Sequence, residues 1–290
     1  MAKQKVSNTA IGAAICRLIE QYQPQETRLF DDPLVKNLVG TPVRMMMQFT
    51  GMRNFTLQRM DAITHGIYGA QICRTRLIDE AVQAGISAGI AQLVILGAGL
   101  DTRPYRLPGM ERIKVFEVDL ALVQDEKKAR LQKLLGRLPE NVVFIPIDFD
   151  TQALDEALSG STFDPSKPAI FIWEGVTQYL TEGAVRQTLS YVGRSAPGSI
   201  LVFTYVLKSI IERRSDIQGA DEMLDTVARQ SPWIFGLETA GVSEYLQAFA
   251  LTLISDQGQR EYQEKYLQPL QRHVDIFPGE RTVQAVVTGS

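Results

Sequence analysis

Leu93-Val94-Ile95-Leu96-Gly97-Ala98-Gly99-Leu100-Asp101-Thr102-Arg103 is the stretch whose reading decides the fold. Four apolar residues end abruptly in a Gly-x-Gly turn and then in polar residues. That is the pattern of a buried parallel strand delivering its carboxyl end to a nucleotide-like ligand. Gly97 and Gly99 lack a β-carbon, so the turn can be tight and a ligand can approach the backbone where a side chain would block it. A Gly-rich turn without a ligand fits the glycines equally well, and the neighbouring sequence has to decide between the two.

The next candidate strand supports the ligand. Ile113-Lys114-Val115-Phe116-Glu117-Val118-Asp119 is a second apolar run that ends acidic. It lies about twenty residues beyond the glycines, where nucleoside-binding α/β folds place a carboxylate on the ribose hydroxyls. Asp119 is the stronger candidate for that contact. Glu117 alternates with it and can share the role or remain a solvated strand-end charge. A dinucleotide is disfavoured because Thr102 stands where G-x-G-x-x-G has its third glycine, the one that lets helix and strand pack closely around a pyrophosphate. A ligand with a ribose and no pyrophosphate does not need that anion cradle, and S-adenosylmethionine fits this description.

Working outward, strands are expected at 93–96, 114–118, 142–147, 169–173 and 200–205, with helices between them at 122–135 and 184–196. Strands alternating with helices argue for a mainly parallel sheet covered on both faces. A helix at 243–249 and late strands at 251–255 and 282–287 complete an α/β, Rossmann-like, seven-stranded sheet. Before it, 7–84 has helical spacing, opened by Ser7 or Asn8 as a cap and interrupted at Gly40-Thr41-Pro42. The expected organisation is an N-terminal helical cap over 1–88 and a core over 89–290, with a polar helical lid insertion at about 206–237. Both helical segments are expected to pack over the carboxyl ends of the strands, burying Met45, Met47, Phe49, Trp233 and Phe235 around an acceptor pocket.

Several of these motifs occur together in a known family. Leu96-Gly97-Ala98-Gly99-Leu100-Asp101-Thr102-Arg103, Phe116-Glu117-Val118-Asp119, Glu174-Gly175-Val176-Thr177-Gln178-Tyr179-Leu180 and Arg74-Thr75-Arg76-Leu77-Ile78-Asp79 resemble the leucine carboxyl methyltransferase family. With Asn8-Thr9-Ala10 and Leu29-Phe30-Asp31-Asp32-Pro33-Leu34, nearly the whole chain is similar to the family's bacterial O-methyltransferase branch, which includes enzymes that methylate polyketides. The resemblance implies a class I methyltransferase fold with S-adenosyl-L-methionine as cofactor. It implies that Arg74 meets the methionine carboxylate, Gly97 lies against the cofactor backbone with Gly99 and Asp101 beside it, and Asp119 holds the ribose. Asp148 and Phe149 would flank the adenine, and Glu174 would sit at the end of the fourth strand. Phe149 replaces a leucine common in the branch and keeps an apolar wall.

Composition sets outer bounds. At 290 residues, 45% hydrophobic and 22% charged, the chain can bury a sizeable core. A net charge of −3 gives no general attraction to nucleic acid or an anionic membrane. The first seven residues lead into no apolar signal core and no apolar run approaches spanning length, so a cytoplasmic protein is expected. Cys16 and Cys73 are read as reduced thiols, and with only His65 and His273 a zinc site is not expected, while carboxylates alone leave magnesium open.

Methyl transfer from a sulfonium is an in-line displacement, so the protein must bind, align and exclude water more than supply acids and bases. His65 and Tyr179 are the catalytic candidates. Arg103, Arg106 and Arg213 are acceptor-contact candidates that fit structural ion pairs equally well. The expected reaction is O-methylation of a carboxylate, or a phenolic hydroxyl, of a small and largely apolar metabolite. The carboxylate is favoured because the family resemblance implies carboxyl methylation and only two histidines are at hand to activate a phenol, whereas a carboxylate is already ionised at neutral pH. An NAD-dependent oxidoreductase and a non-catalytic cofactor-binding protein are the competing readings.

Overall fold

Period-two alternation along the strands sends their side chains to two apolar layers, and the helices between strands cover both. The computed structural model describes residues 8–228 and 231–289, so the expected cap at Ser7 lies outside the described residues. Strands β1 (Gln92–Leu96), β2 (Lys114–Asp119), β3 (Val142–Pro146), β4 (Ile170–Trp173), β5 (Ile200–Val206), β6 (Leu251–Gln257) and β7 (Glu280–Val287) form one sheet in the order β3-β2-β1-β4-β5-β7-β6. The first five are parallel, and β7 runs antiparallel to both β5 and β6. Every expected strand is present, with ends shifted by one or two residues. The strand order reverses beside β1, which puts the crevice for a ligand at the carboxyl ends of β1 and β4.

One layer packs Leu93, Ile95, Ile170, Ile172 and Val202 under the helices Asn8–Glu20, Ile67–Ser87 and Ala121–Leu135. The other packs Val94, Leu96, Phe116, Phe171 and Phe203 under Leu154–Ser159, Glu182–Gly193 and Val242–Gln247. The helices observed at 121–135, 182–193 and 242–247 correspond to those expected at 122–135, 184–196 and 243–249.

The N-terminal segment divides into five helices, Asn8–Glu20, Val35–Leu38, Thr41–Met47, Thr50–Thr64 and Ile67–Ser87, and the break at Gly40 falls where expected. The first helix is bolted to the turn after β1. Buried Arg17 donates to Asp32 at 2.7 Å, to Thr102 Oγ1 at 2.9 Å and to the Leu100 carbonyl at 2.7 Å. The Thr102 hydroxyl donates to Asp32 at 2.7 Å. The residue that replaces the third glycine therefore ties the N-terminal helices to the sheet. At the far end of the same helix, Arg272 donates to both carboxylate oxygens of Glu20, at 2.6 and 2.9 Å.

Two expectations about the helical additions need correction. Among its described residues, the segment 206–237 is helical only at Lys208–Ile211 and Ala220–Ala228. Much of the rest is loop, held by a bridge between Leu207 and Leu237. Met47, Trp233 and Phe235 are buried, though of these Trp233 alone lines the cavity over the strand ends, Met47 and Phe235 packing into opposite layers of the core, and Met45 is 57% and Phe49 65% exposed. Met45 faces solvent from the helix on which Met47 packs inward, and Phe49 stands exposed at the N-cap of the helix that follows.

Candidate active site

A cavity of about 590 Å³ lies over the carboxyl ends of β1, β2 and β4. Ala10, Ala13 and Cys16 wall it from the first helix, Met60 and Ile67 from the helices 50–64 and 67–87, and Met223 and Trp233 from the segment after β5. Both helical segments thus roof one crevice, a volume ordinary for a small-molecule site.

Its floor is the turn after β1. Gly97 and Gly99 have φ of +68° and +41°, in the left-handed region that favours glycine. A Cβ on Gly97 would stand 2.3 Å from Val176 Cγ2. Asp119 crosses to this turn, accepting from the Gly99 N–H at 2.6 Å and the Leu120 N–H at 2.7 Å. Each of its oxygens keeps a lone pair for a ligand hydroxyl. Burial, the largest influence, pushes the Asp119 carboxyl up against the pull of those two donors. Asp148 and Phe149 line the cavity after β3, a carboxylate beside an aromatic wall.

The wall between β1 and β4 is a chain of alternating charges. Arg74 donates through Nε to Glu174 at 2.8 Å, through Nη1 to both oxygens of Glu280 at 2.5 and 2.6 Å, and through Nη2 to Gln71 at 2.6 Å. Of the five guanidinium N–H donors four are engaged, which leaves one on Nη2. Arg103 reaches the other oxygen of Glu174 at 2.7 Å, Asp101 at 2.6 Å and Asp79 at 2.7 Å. Burial alone would raise the Glu174 carboxyl, but the guanidiniums of Arg103 and Arg74 outweigh it and hold Glu174 well below the usual carboxylate range. Asp101 is lowered in the same way, Arg103 and Lys127 prevailing over its burial.

Two of the expected site residues lie elsewhere. Glu117 is fully buried away from the cavity, paired with Lys127 at 2.7 Å and accepting from the Tyr105 hydroxyl at 2.8 Å. Two positions apart on β2, Glu117 and Asp119 project to the same face, but the strand's end frees only Asp119 to reach the turn. His65 does not line the cavity. It ends the helix 50–64 in a left-handed conformation, and its ring fills the space beside Gly219. Tyr179 does line the cavity, with its hydroxyl buried and unpartnered among the described residues.

The acceptor-contact candidates divide similarly. Arg103 and Arg106 are structural, Arg106 bonding Asp79 at 2.8 Å and Thr102 at 3.1 Å. Arg213 is exposed and pairs with Asp221 and Asp225. Sequence reading missed Glu280, whose only signal is a charge at the start of an apolar strand, and it missed Trp233 and Gln178 as polar groups of the cavity. Cys16 and Cys73 are free and buried, each thiol pushed up to about 12 by burial. Among the described residues no helix is long and apolar enough to cross a membrane.

The described lining carries the guanidiniums of Arg17, Arg74 and Arg103 against the carboxylates of Asp101, Asp119, Asp148, Asp150, Glu174 and Glu280. That acidic excess, the glycine turn and the open lone pairs of Asp119 fit a cation with a ribose and an ammonium group, as S-adenosylmethionine is. Fold and cavity together define a Rossmann-like, S-adenosylmethionine-dependent methyltransferase. Residues 10–193 match leucine carboxyl methyltransferase, and the chain belongs to that family. A Streptomyces avermitilis protein assigned as an S-adenosyl-L-methionine-dependent methyltransferase is 30% identical over 227 residues, 78% of this chain and 76% of its own. A Frankia alni protein with the same assignment is 27% identical over 263 residues, 87% and 90% of the two chains. Among solved structures, one assigned as a methyltransferase from Thermobifida fusca shares the fold, with a TM-score of 0.58 at 16% identity over 83% of this chain and 90% of that one.

Proposed function

We propose that this methyltransferase acts on an oxygen of a small, largely apolar metabolite, of which a polyketide is an example. The observation that carries the reading is the cavity itself, in which the polar Gly97–Asp119 floor continues into an apolar roof of Met60, Ile67, Met223 and Trp233. A polar cofactor and an apolar acceptor each find a matching part of one space. The helical segments 1–88 and 206–237 serve as cap and lid over a core that begins at 89, and they exclude water from the reacting atoms. Two free buried thiols suit a cytoplasmic setting.

In this reading Arg74 offers its remaining Nη2–H to the methionine carboxylate, and Glu174 holds Arg74 and Arg103 in place. Asp101 fixes Arg103 from the other side. The backbone of Gly97 and Gly99 gives close access, Asp119 accepts from the ribose hydroxyls, and Asp148 with Phe149 flanks the adenine. S-adenosylmethionine supplies the methyl group: the acceptor oxygen bonds to its carbon as the carbon–sulfur bond breaks and the electron pair stays on sulfur. The protein's task is alignment, with Tyr179 on the cavity wall as the polar group nearest in kind to an acceptor contact.

Methyl-labelled S-adenosylmethionine incubated with the protein and a panel of small apolar acids and phenols tests this. The label is expected on oxygen, as a methyl ester or ether identified by carbon NMR. Label on nitrogen or carbon alone would overturn the oxygen assignment.

A further inference from the structure

The cavity wall contains polar atoms that nothing in the fold satisfies. Gln178 is 4% and Trp233 8% exposed, and both line the cavity beside Tyr179. Gln178 Oε1, the Tyr179 hydroxyl and Trp233 Nε1 are all enclosed without a hydrogen-bond partner among the described residues. Buried polar groups are nearly always paired, so three orphans on one cavity mark a place where a ligand completes the bonding. The two segments that carry them are joined through the backbone, the Ile234 and Phe235 N–H groups donating to the Gln178 carbonyl at 2.7 and 3.3 Å. The loop carrying Gln178 and Tyr179 is itself fixed on β5, Gly175 N donating to Thr204 Oγ1 at 2.8 Å and Thr177 Oγ1 to the Thr204 carbonyl at 2.6 Å.

We propose that Gln178, Tyr179 and Trp233 form the acceptor subsite, and that it takes an uncharged hydroxyl on an apolar ring in preference to a carboxylate. The proposal rests on the methyltransferase reading above and narrows its acceptor. The indole N–H only donates, the amide oxygen only accepts, and the phenol does both. A hydroxyl answers this set, donating to Gln178 while accepting from Trp233 or Tyr179. A carboxylate can only accept and would face the Gln178 oxygen unpaired.

Charge argues the same way. Each cationic side chain described in the lining is already committed, Arg17 to Asp32, Arg74 to Glu174 and Glu280, and Arg103 to Asp79, Asp101 and Glu174. Beyond the Arg74 Nη2–H given to the methionine carboxylate, the described lining offers an entering acceptor anion no open guanidinium, so its desolvation is offset by the cofactor's sulfonium alone. The apolar body of the acceptor has Met60, Ile67 and Met223 to pack on, and thioethers adapt to irregular ring shapes. Arg229 lies outside the described residues, and the test treats it directly.

The test uses the full chain saturated with S-adenosylhomocysteine and titrated by calorimetry near neutral pH. Its probes are matched pairs, naphthol with naphthoate and hydroxyanthracene with anthracene carboxylate, each pair substituted at one ring position. The hydroxyl member of a pair is expected to bind about tenfold or more tightly than the acid, in wild type and in Arg229→Gln alike. Trp233→Phe and Tyr179→Phe are each expected to weaken the hydroxyl probe about fivefold or more while leaving S-adenosylhomocysteine affinity and the thermal midpoint unchanged. With S-adenosylmethionine, methylation of a hydroxyl releases one proton to water per methyl transferred, and methylation of a carboxylate releases none, which a pH indicator in weak buffer reads.

Preference for the acids, binding of neither class, or no effect of either variant would overturn the subsite. Methyl esters formed without proton release would do so while leaving transfer to oxygen intact. A bound hydroxyl probe methylated on carbon would instead leave the subsite standing and overturn the oxygen reading.

Discussion

Glu280 grips Arg74 through both carboxylate oxygens, at 2.5 and 2.6 Å, although the two residues stand 206 positions apart. The pair joins the start of β7 to the helix Ile67–Ser87 within the cavity wall. Both side chains are buried, and without Glu280 the Arg74 guanidinium keeps only Glu174 as a counter-charge and loses two charge-assisted hydrogen bonds. Glu280→Ala is expected to destabilise the fold by about 1.5–3 kcal/mol, and Glu280→Gln by less because one oxygen still accepts. Chemical denaturation checks this, and an unchanged midpoint for the alanine variant would remove Glu280 from the site's support.

Acid stability should report on Glu174. Its folded carboxyl is depressed by Arg103 and Arg74 despite burial. A depressed carboxylate stabilises the fold fully above its unfolded value of about 4.3, and the stabilisation is lost as pH falls from there toward the folded value. Wild type should therefore lose stability below about pH 4.5, and Glu174→Gln should start lower at neutral pH and fall less steeply through the same window. Parallel acid limbs in the two proteins would contradict the assignment.

Asp119 holds the turn as well as offering lone pairs to a ligand. Asp119→Ala is expected to weaken S-adenosylmethionine binding by about 1.5–3 kcal/mol, with secondary structure retained because the residue sits at a strand end. Asp119→Asn, which keeps one acceptor for Gly99 or Leu120, should fall between. Calorimetry on folded variants decides, and equal affinities across the three would sink the ribose contact.

Gly97 is restricted twice over, by a φ of +68° and by Val176 Cγ2 at 2.3 Å from where a Cβ would stand. Gly97→Val should abolish cofactor binding. Adding Val176→Gly to Gly97→Ala removes the contact but leaves the left-handed backbone, at about 1–2 kcal/mol for an L-residue. The double variant should recover only part of the thermal stability lost by Gly97→Ala.

His65 packs beside Gly219 outside the cavity. His65→Asn tolerates the same left-handed backbone. It is expected to keep methyl-transfer activity within a few-fold of wild type, where loss of a general base would cost about 10²-fold or more. A rate that rises through the imidazole range in wild type and not in the variant would return His65 to the mechanism.

The five parallel strands were legible because each is a short, nearly continuous apolar run, and burial on both faces of a parallel sheet demands that composition. Gly97, Gly99 and Asp119 were legible for a related reason: a tight turn at a strand end and an acidic residue on the next strand are local patterns at a fixed spacing. Glu117 shows where such spacing stops. Only Val118 separates it from Asp119, and sequence cannot tell which carboxylate clears the strand end and which is covered by Lys127 and Tyr105.

Local sequence therefore determined the order of strands and helices, the glycine turn and the family to which the chain belongs, since these depend on neighbours in the chain. Tertiary structure alone decided the partners: Glu280 for Arg74, Asp32 for Thr102, and the meeting of Trp233 with Gln178 and Tyr179. These depend on charges and hydrogen bonds closed across long loops. A lone glutamate, threonine or tryptophan carries no periodicity to announce its partner, and only the fold that leaves a charge or a donor without water shows what it must meet.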